Sequence, residues 1–191
     1  MGVLHAYFGL TPKLLERLTS SYSRWIEAKL PEDNHVDIDK LHYLVHEVAY
    51  ADQDAQAGET IEVAAMIRRA VYGTRQLFDY DPAMLDVVNG RRTEGQPPLT
   101  ERDVRDNLQY DRLVPPDDVR QAAAYMSSLT VRELRSNFES NKSEDSFYYK
   151  HPSGQEHFER DWERARHAFV PLSRFYRRAA ERGEAAYIMM Y

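Results

Sequence analysis

Two short apolar segments near the ends of the chain constrain its fold more than any other sequence feature. Val3–Phe8 is rich in β-forming residues and is bounded by Gly9, and Ala185–Tyr191 is a second short apolar stretch. Strands this short need neighbouring strands, because their backbone N–H and C=O groups must find hydrogen-bond partners. The sequence therefore predicts that the two segments pair in one small sheet.

Between these segments, apolar residues recur at the spacing of amphipathic helices. The first helix is expected to run to about Lys29, and Gly73 and Gly183 are placed to end helices. Pro171 is expected to kink or split the last helix. Helix starts are predicted at Thr11, Asp37, Asp81, Thr100, Pro116, Thr130 and Ser153, and short strands at 77–80 and 110–114. The predicted fold class is α+β, a mostly helical single domain over residues 1–191 with a small sheet that includes the N- and C-terminal strands.

Composition excludes several classes of protein. The chain has 191 residues and no Cys, so a disulfide scaffold, a thiolate metal site and a cysteine nucleophile are excluded. Its net charge of −6 argues against nucleic acid as a partner. It carries neither a signal-peptide pattern nor an apolar run of about 20 residues, so we expect a cytoplasmic protein without a membrane partner.

The densest group of potential ligands follows the predicted helix start at Asp37. On such a helix His42 and His46 are four residues apart and share a face, as a zinc-binding pair does, and Asp39 is a further oxygen ligand. The alternative is structural, with Asp37 capping the helix, Asp39 complementing its dipole and both histidines flanking the apolar stripe. We prefer the structural interpretation and no metal, with His42 and His46 as the candidate ligands if one is bound. Asp37, Asp39, Lys40 and His46 are candidate binding residues.

A second candidate lies in the polar segment 141–152. Tyr148 and Tyr149 are adjacent there, and exposed tyrosines are typical of binding surfaces because they combine a rigid apolar ring with a polar group. Tyrosines that fold back onto the core are the alternative. We include both residues among the candidate binding residues.

The chain resembles the YfbM-like family, a group of bacterial proteins classed as a domain of unknown function (DUF1877). The segments of this chain that match the family's pattern occur in the same order as in the family. They are Met1–Phe8, Val36–His46, Arg69–Gly73, Leu129–Phe138 and Phe175–Gly183. The resemblance implies an α+β single domain in the bacterial cytosol. It implies no activity.

Two functions follow as expectations. The first is a protein-interaction or regulatory module of the adaptor or toxin-neutralising type, without catalysis and with a protein partner. The second is a small metal- or phosphate-dependent hydrolase that uses Asp37, Asp39, His42 and His46. The usual nucleotide-binding and nucleophile motifs do not occur, so no cofactor is expected.

Overall fold

A computed structural model describes residues 4–39, 41, 67–140 and 154–191. The helical residues 67–72 are called α3. The other elements are β1 His5–Leu10, α1 Pro12–Thr19, α2 Tyr22–Ile26, β2 His35–Ile38, β3 Arg75–Gln76, α4 Pro82–Asn89, α5 Glu101–Leu108, β4 Asp111–Val114, α6 Pro116–Ser128, α7 Val131–Ser140, α8 Gly154–Glu181 and β5 Ala185–Met190. No helix in these ranges is long and apolar enough to cross a bilayer.

The five strands form one antiparallel sheet in the order β2-β1-β5-β4-β3. The pairing of β1 with β5 runs from His5 opposite Met190 to Leu10 opposite Ala185. The predicted pairing of the two terminal segments is therefore confirmed, as is the α+β fold class. The strand at 110–114 is also confirmed by β4, whereas the one predicted at 77–80 lies earlier, at Arg75–Gln76.

The alternation of side chains along β1 and β5 places apolar residues on both faces of the sheet. Tyr7 and Ile188 belong to the larger core, which they share with buried residues of α3, α6, α7 and α8. Phe8 and Tyr187 belong to a smaller core on the other face, with Leu18 of α1 and Trp25 of α2. The central strands are consequently covered on both sides.

Most of the predicted helix boundaries are confirmed in detail. The side chains of Thr11 and Asp81 cap α1 and α4, and each of these helices begins with a proline. Thr100 and Asp103 form a reciprocal capping box at the start of α5. Gly73 and Gly183, with φ of 73° and 65°, end α3 and α8 in the left-handed conformation that glycine adopts without penalty.

Two helix predictions in the first forty residues are wrong. The predicted first helix is two helices, because Ser21 is extended (φ −158°) and its hydroxyl caps a new helix by accepting from the Arg24 amide. Asp37 does not open a helix but lies in β2, opposite Ala6 of β1. The alternation of Val36 and Ile38 onto the larger core explains this strand, since both side chains pack there while Asp37 is exposed.

Of the two outcomes expected at Pro171, a kink or a split, the split is wrong, because α8 continues from Gly154 to Glu181. Proline removes one backbone donor, which costs about 3 kcal/mol in a helix interior. Buried residues on both sides of it, Phe169 and Leu172 among them, pack in the larger core. Their burial offsets the lost hydrogen bond and holds the helix together.

Candidate functional site

The structure describes only two of the candidate binding residues, Asp37 and Asp39, and both are exposed. Lys40, His42, His46, Tyr148 and Tyr149 lie outside the described residues. The described part of the chain brings no three His, Asp or Glu residues together as a metal site. Binding by the histidine pair and by the tyrosine pair therefore stays a prediction.

Asp37 belongs to a small surface cluster at the β2 side of the sheet. Its Oδ1 lies 3.0 Å from Nε2 of His35, whose ring stacks on Phe8 at 4.5 Å between centroids. Burial and then the Asp37 carboxylate, which accepts a hydrogen bond from the phenol, raise the pKa of Tyr191. In this structure Asp37 is engaged by neighbouring side chains rather than by a helix N-terminus.

A groove of about 700 Å³ lies between α7 and α8 and is here called the Arg–Trp groove. Its volume falls in the range of typical binding clefts. One wall is formed by α7 and the other by α8. The residues that line it are Val131, Arg132, Arg135, Ser136, Glu139, Trp162, Glu163 and Arg166.

The sequence of α7 explains why this face is polar. Thr130 and Glu133 form the predicted capping box, in which Thr130 Oγ1 accepts from the Glu133 amide at 3.1 Å and Glu133 Oε2 accepts from the Thr130 amide at 2.8 Å. Leu134 and Phe138 are fully buried and face the core. Arg132, Arg135 and Glu139 then fall at helical spacing on the groove side.

Trp162 forms the apolar floor of the groove. It is 2% exposed, and its ring lies 5.6 Å from the ring of Phe138, measured between centroids. On the groove side, the guanidinium carbon of Arg135 lies 5.6 Å from the centroid of the same ring, within the range of a cation–π contact. Aromatic packing from the core and a cation from the groove therefore fix the indole in place.

Two of the three arginines of the groove are held by glutamates. Arg135 donates from Nε to Glu139 and from a terminal nitrogen to Glu159, each at 2.8 Å, and these two hydrogen bonds raise the pKa of its guanidinium. Arg166 donates twice to Glu163, at 3.1 and 2.8 Å. Arg132 has no ion-pair partner within the part of the chain that the structure describes. The lining residues thus carry three arginines against two glutamates, and both glutamates are already bonded to arginine.

This arrangement is suited to binding rather than to proton transfer. An arginine stays protonated throughout the physiological range and acts as a donor to carboxylate or phosphate oxygens. Arginine and tryptophan are also the residues that most often dominate the affinity of protein interfaces. The groove therefore has Trp162 at its floor and walls that each carry both arginine and glutamate.

None of the groove residues was identified as a candidate from the sequence. Trp162 is one of the apolar residues that recur at helical spacing after Ser153, and the arginines of α7 were not singled out. A usable signal existed, because Arg132, Arg135 and Glu139 in α7 and Glu159, Glu163 and Arg166 in α8 each recur every three or four residues beside the apolar stripe. That these two rows face each other is a property of the tertiary structure alone.

Comparisons with known proteins bear on the fold and on the family. The solved structure of YfbM from Escherichia coli, a protein of unknown function, is similar to this chain with a TM-score of 0.55 and 16% sequence identity, and the match covers 100% of both chains. At that identity the likeness shows the fold alone. None of the curated proteins matches this chain. The family model described as "Domain of unknown function (DUF1877)" matches residues 1–189. Since that match spans nearly its full length, the chain belongs to the DUF1877 family.

Proposed function

We propose that this protein is an interaction or regulatory module, of the adaptor or toxin-neutralising type, that acts without catalysis and receives a protein partner in the Arg–Trp groove. In this proposal it works in the cytoplasm. The observation that carries it is the fixed pairing of Arg135 with Trp162 at the floor of an open groove. Because both side chains are already held in place, a partner that docks there loses little free energy in ordering them.

The rim of the groove supports the same function. Val131 is 51% exposed, which leaves an apolar side chain accessible at the groove wall. Arg132 and Arg166 stand on opposite walls, so a bound segment meets a cation on each side. An apolar centre with a charged rim is the usual anatomy of a protein interface.

Tyr148 and Tyr149 are part of the proposal because they lie in the sequence segment that joins α7 to α8. If that segment contributes to the partner surface, replacing both tyrosines by alanine weakens partner capture. A surface role also leaves stability within about 0.5 kcal/mol of the wild type.

Quantitative affinity purification from the native host tests the proposal. The double variant Arg132→Glu/Arg166→Glu reverses charge on both walls and leaves the Arg135–Trp162 contact intact. The matched control is Arg102→Glu/Arg120→Glu, which makes the same change in net charge at exposed arginines of α5 and α6. We expect a protein that is enriched by the wild type and by the control but lost by the groove variant. Equal recovery of every protein by all three chains would contradict the proposal.

A further inference from the structure

The exposed side of α8 changes character along the helix. Its first turns carry both acidic and basic residues, whereas residues 164–180 contain five arginines and neither Asp nor Glu. Four exposed residues near the end of this stretch share one helix face, because three of them lie three or four positions from Arg174. They are Val170, Arg174, Arg177 and Arg178, here called the arginine stripe.

We infer that the arginine stripe binds an acidic helical segment of a partner protein, with carboxylates on the arginines and an apolar side chain on Val170. The stripe lies beyond the Arg–Trp groove along α8, and its binding does not need that groove. The inference therefore goes beyond the proposed function and is tested separately from it.

The three arginines of the stripe are available to a bound anion. Arg164 and Arg166, earlier in the same helix, each bond a carboxylate three residues before them. Within the described ranges, the arginines of the stripe form neither an ion pair nor a side-chain hydrogen bond, and Glu181, which follows them, pairs with none of them. Carboxylates of a partner therefore gain charge-assisted hydrogen bonds without displacing existing ones.

The helix dipole accounts for only part of this positive charge. Cations stabilise a helix from its last turn, and in α8 that turn contains Arg178. Arg174 and Arg177 lie further from the helix end. Arg174 is also three residues from Arg177 and four from Arg178, a spacing at which like charges weaken a helix. A bound carboxylate relieves that repulsion.

Packing of the opposite face fixes the direction in which the stripe points. Phe175, Tyr176 and Ala179 are fully buried, and the Tyr176 phenol donates to the Ala70 carbonyl at 2.7 Å. The stripe runs about 12 Å along the helix axis, since each residue adds about 1.5 Å. A partner helix with the same spacing of side chains can therefore place its carboxylates opposite the arginines without any rearrangement of α8.

Val170 and the charge of the whole chain favour an acidic protein segment over a nucleic acid. Val170 is 37% exposed one turn before Arg174, so it offers an apolar contact that a phosphate backbone does not use. A nucleic acid also extends past a stripe of about 12 Å, onto the surface of a chain whose net charge is −6. A short helix confines its negative charges to the stripe.

Fluorescence anisotropy with a designed peptide tests the inference. The probe is a fluorescein-labelled, alanine-rich helix of about 15 residues with capped termini. One leucine and three glutamates repeat the spacing of the stripe in reverse order, so that the peptide can pack antiparallel to α8. We expect it to bind the wild type, with an affinity that falls as salt is raised. The same peptide with glutamine in place of glutamate should bind at least about tenfold more weakly.

Two matched variants locate the binding surface. The stripe variant is Arg174→Gln/Arg177→Gln/Arg178→Gln, and the control variant is Arg17→Gln/Arg102→Gln/Arg120→Gln, at exposed arginines of α1, α5 and α6. Both lose three positive charges. The stripe variant should bind the acidic peptide at least about tenfold more weakly than the wild type, and the control variant should differ from it less than about threefold. Because the stripe variant removes like-charge repulsion within α8, its melting temperature should be no lower than that of the control.

The apolar contact has its own test. Val170→Thr keeps the shape of the side chain and replaces a methyl group by a hydroxyl, so it should weaken binding of the peptide at least about twofold. Wild-type affinity in this variant would contradict the contact assigned to Val170.

Four results would overturn the inference about the arginines. The first is no salt-dependent binding of the acidic peptide to the wild type. The second is an equal loss of binding in the stripe variant and the control variant. The third is a lower melting temperature of the stripe variant than of the control, which would make the arginines structural. The fourth is displacement of the peptide by a thymidine tetranucleotide, which also carries three negative charges, at lower concentration than by unlabelled peptide.

Discussion

Among the glycines that the structure describes, Gly9 of β1 has the least room for a side chain. A Cβ added there would lie 2.2 Å from Oε2 of Glu184 and 2.3 Å from Nδ2 of Asn34. These two side chains are buried and hydrogen-bonded to each other at 2.6 Å, and the Gly9 amide donates to the Asn34 carbonyl at 2.8 Å. The position therefore requires glycine for space, and Gly9 lies within β1 instead of ending it.

Gly9→Ala should lower the free energy of unfolding by about 1–3 kcal/mol, because the methyl group displaces one partner of a buried polar pair. Gly90→Ala is the control, since Gly90 has a helical φ of −64° and a methyl group there meets nothing closer than 3.1 Å. Chemical denaturation of the two variants measures the difference. Equal stability of Gly9→Ala and the wild type would show that the pair moves aside without cost.

Asp111 of β4 is a carboxylate whose burial opposes its charge. Burial raises its pKa, and the hydrogen bond that it accepts from the Tyr187 phenol only partly opposes that effect. Because the pKa of Asp111 is raised in the folded state, the contribution of this residue to stability is most favourable below the unfolded pKa of about 3.9. That contribution becomes less favourable as pH rises through the folded pKa. Ionised Asp111 is therefore a cost at neutral pH.

Asp111→Asn should raise the free energy of unfolding at pH 7 by about 0.5–1 kcal/mol, because the amide keeps an acceptor for Tyr187 without a charge. The gain should vanish below about pH 4, where the aspartate is protonated. Denaturant titrations at both pH values measure it, with Asp106→Asn at an exposed position as the control. A loss of stability at pH 7 would mean that the charge of Asp111 is stabilising.

Among the helices, α3 shows how a helix end is fixed by other elements. Its last three carbonyls each accept a side-chain donor from elsewhere: Ala70 from the Tyr176 phenol at 2.7 Å, Val71 from the Tyr7 phenol at 2.9 Å, and Tyr72 from Arg112 Nε at 3.1 Å. The C-terminal carbonyls of a helix have no partners within it. The sheet and α8 therefore determine where α3 ends and how it is placed.

Tyr7→Phe and Tyr176→Phe should each cost about 1–3 kcal/mol of unfolding free energy, because each leaves a buried carbonyl without its donor. Tyr110→Phe, at a position 46% exposed, should change stability by less than about 0.5 kcal/mol. Thermal and denaturant unfolding of the three variants measure these differences. Wild-type stability in both core variants would mean that water replaces the phenols.

The same two phenols predict sensitivity to alkali. Burial is the main cause that raises the pKa of both Tyr7 and Tyr176, so the folded state retains protons that the unfolded chain releases near pH 10. Their contribution to stability is complete below about pH 10 and is lost as pH rises from there toward the folded pKa. Unfolding free energies measured between about pH 9 and about pH 11 should fall steeply in the wild type and less steeply in the double phenylalanine variant. Equal slopes in the two proteins would contradict the assignment.

The fold as a unit depends on β5, which lies in the middle of the sheet. It pairs with β1 over six residues and with β4 over four, so the last segment of the chain holds together strands that are distant in sequence. Tyr187 also packs in the smaller core, where it stacks with Phe8 and meets Trp25 edge-on at 4.5 Å. Loss of β5 therefore removes the strand pairing of both β1 and β4 at once.

Deletion of residues 187–191 should abolish soluble, cooperatively folded protein, because β1 and β4 then lose most of their shared hydrogen-bond partner. Deletion of Tyr191 alone, which is 59% exposed, is the control and should leave a folded protein. Solubility, circular dichroism and the melting temperature distinguish the two. A truncated protein with an unchanged melting temperature would show that β5 is dispensable.

Local patterns were enough to predict those features that short-range physics controls. The caps at Thr11, Asp81 and Thr130 and the glycine stops depend on hydrogen bonds and dihedral angles within a few residues, so they can be read from the sequence. The pairing of β1 with β5 also follows, since short strands need partners. Where an element's identity depended on a distant surface, as for Asp37 in β2, the local pattern gave the wrong answer, and at Pro171 it left open a split of α8 that packing prevents.

The candidate site was decided by tertiary structure. Arg135 and Trp162 are 27 positions apart, and nothing near either residue in sequence requires that they touch. They meet because the buried faces of α7 and α8, with Phe138 against Phe158 and Trp162, fix how the two helices are rotated, and that rotation turns their charged rows toward each other. Sequence periodicity tells which face of each helix is buried, but only packing of one face against another tells what the remaining faces build together.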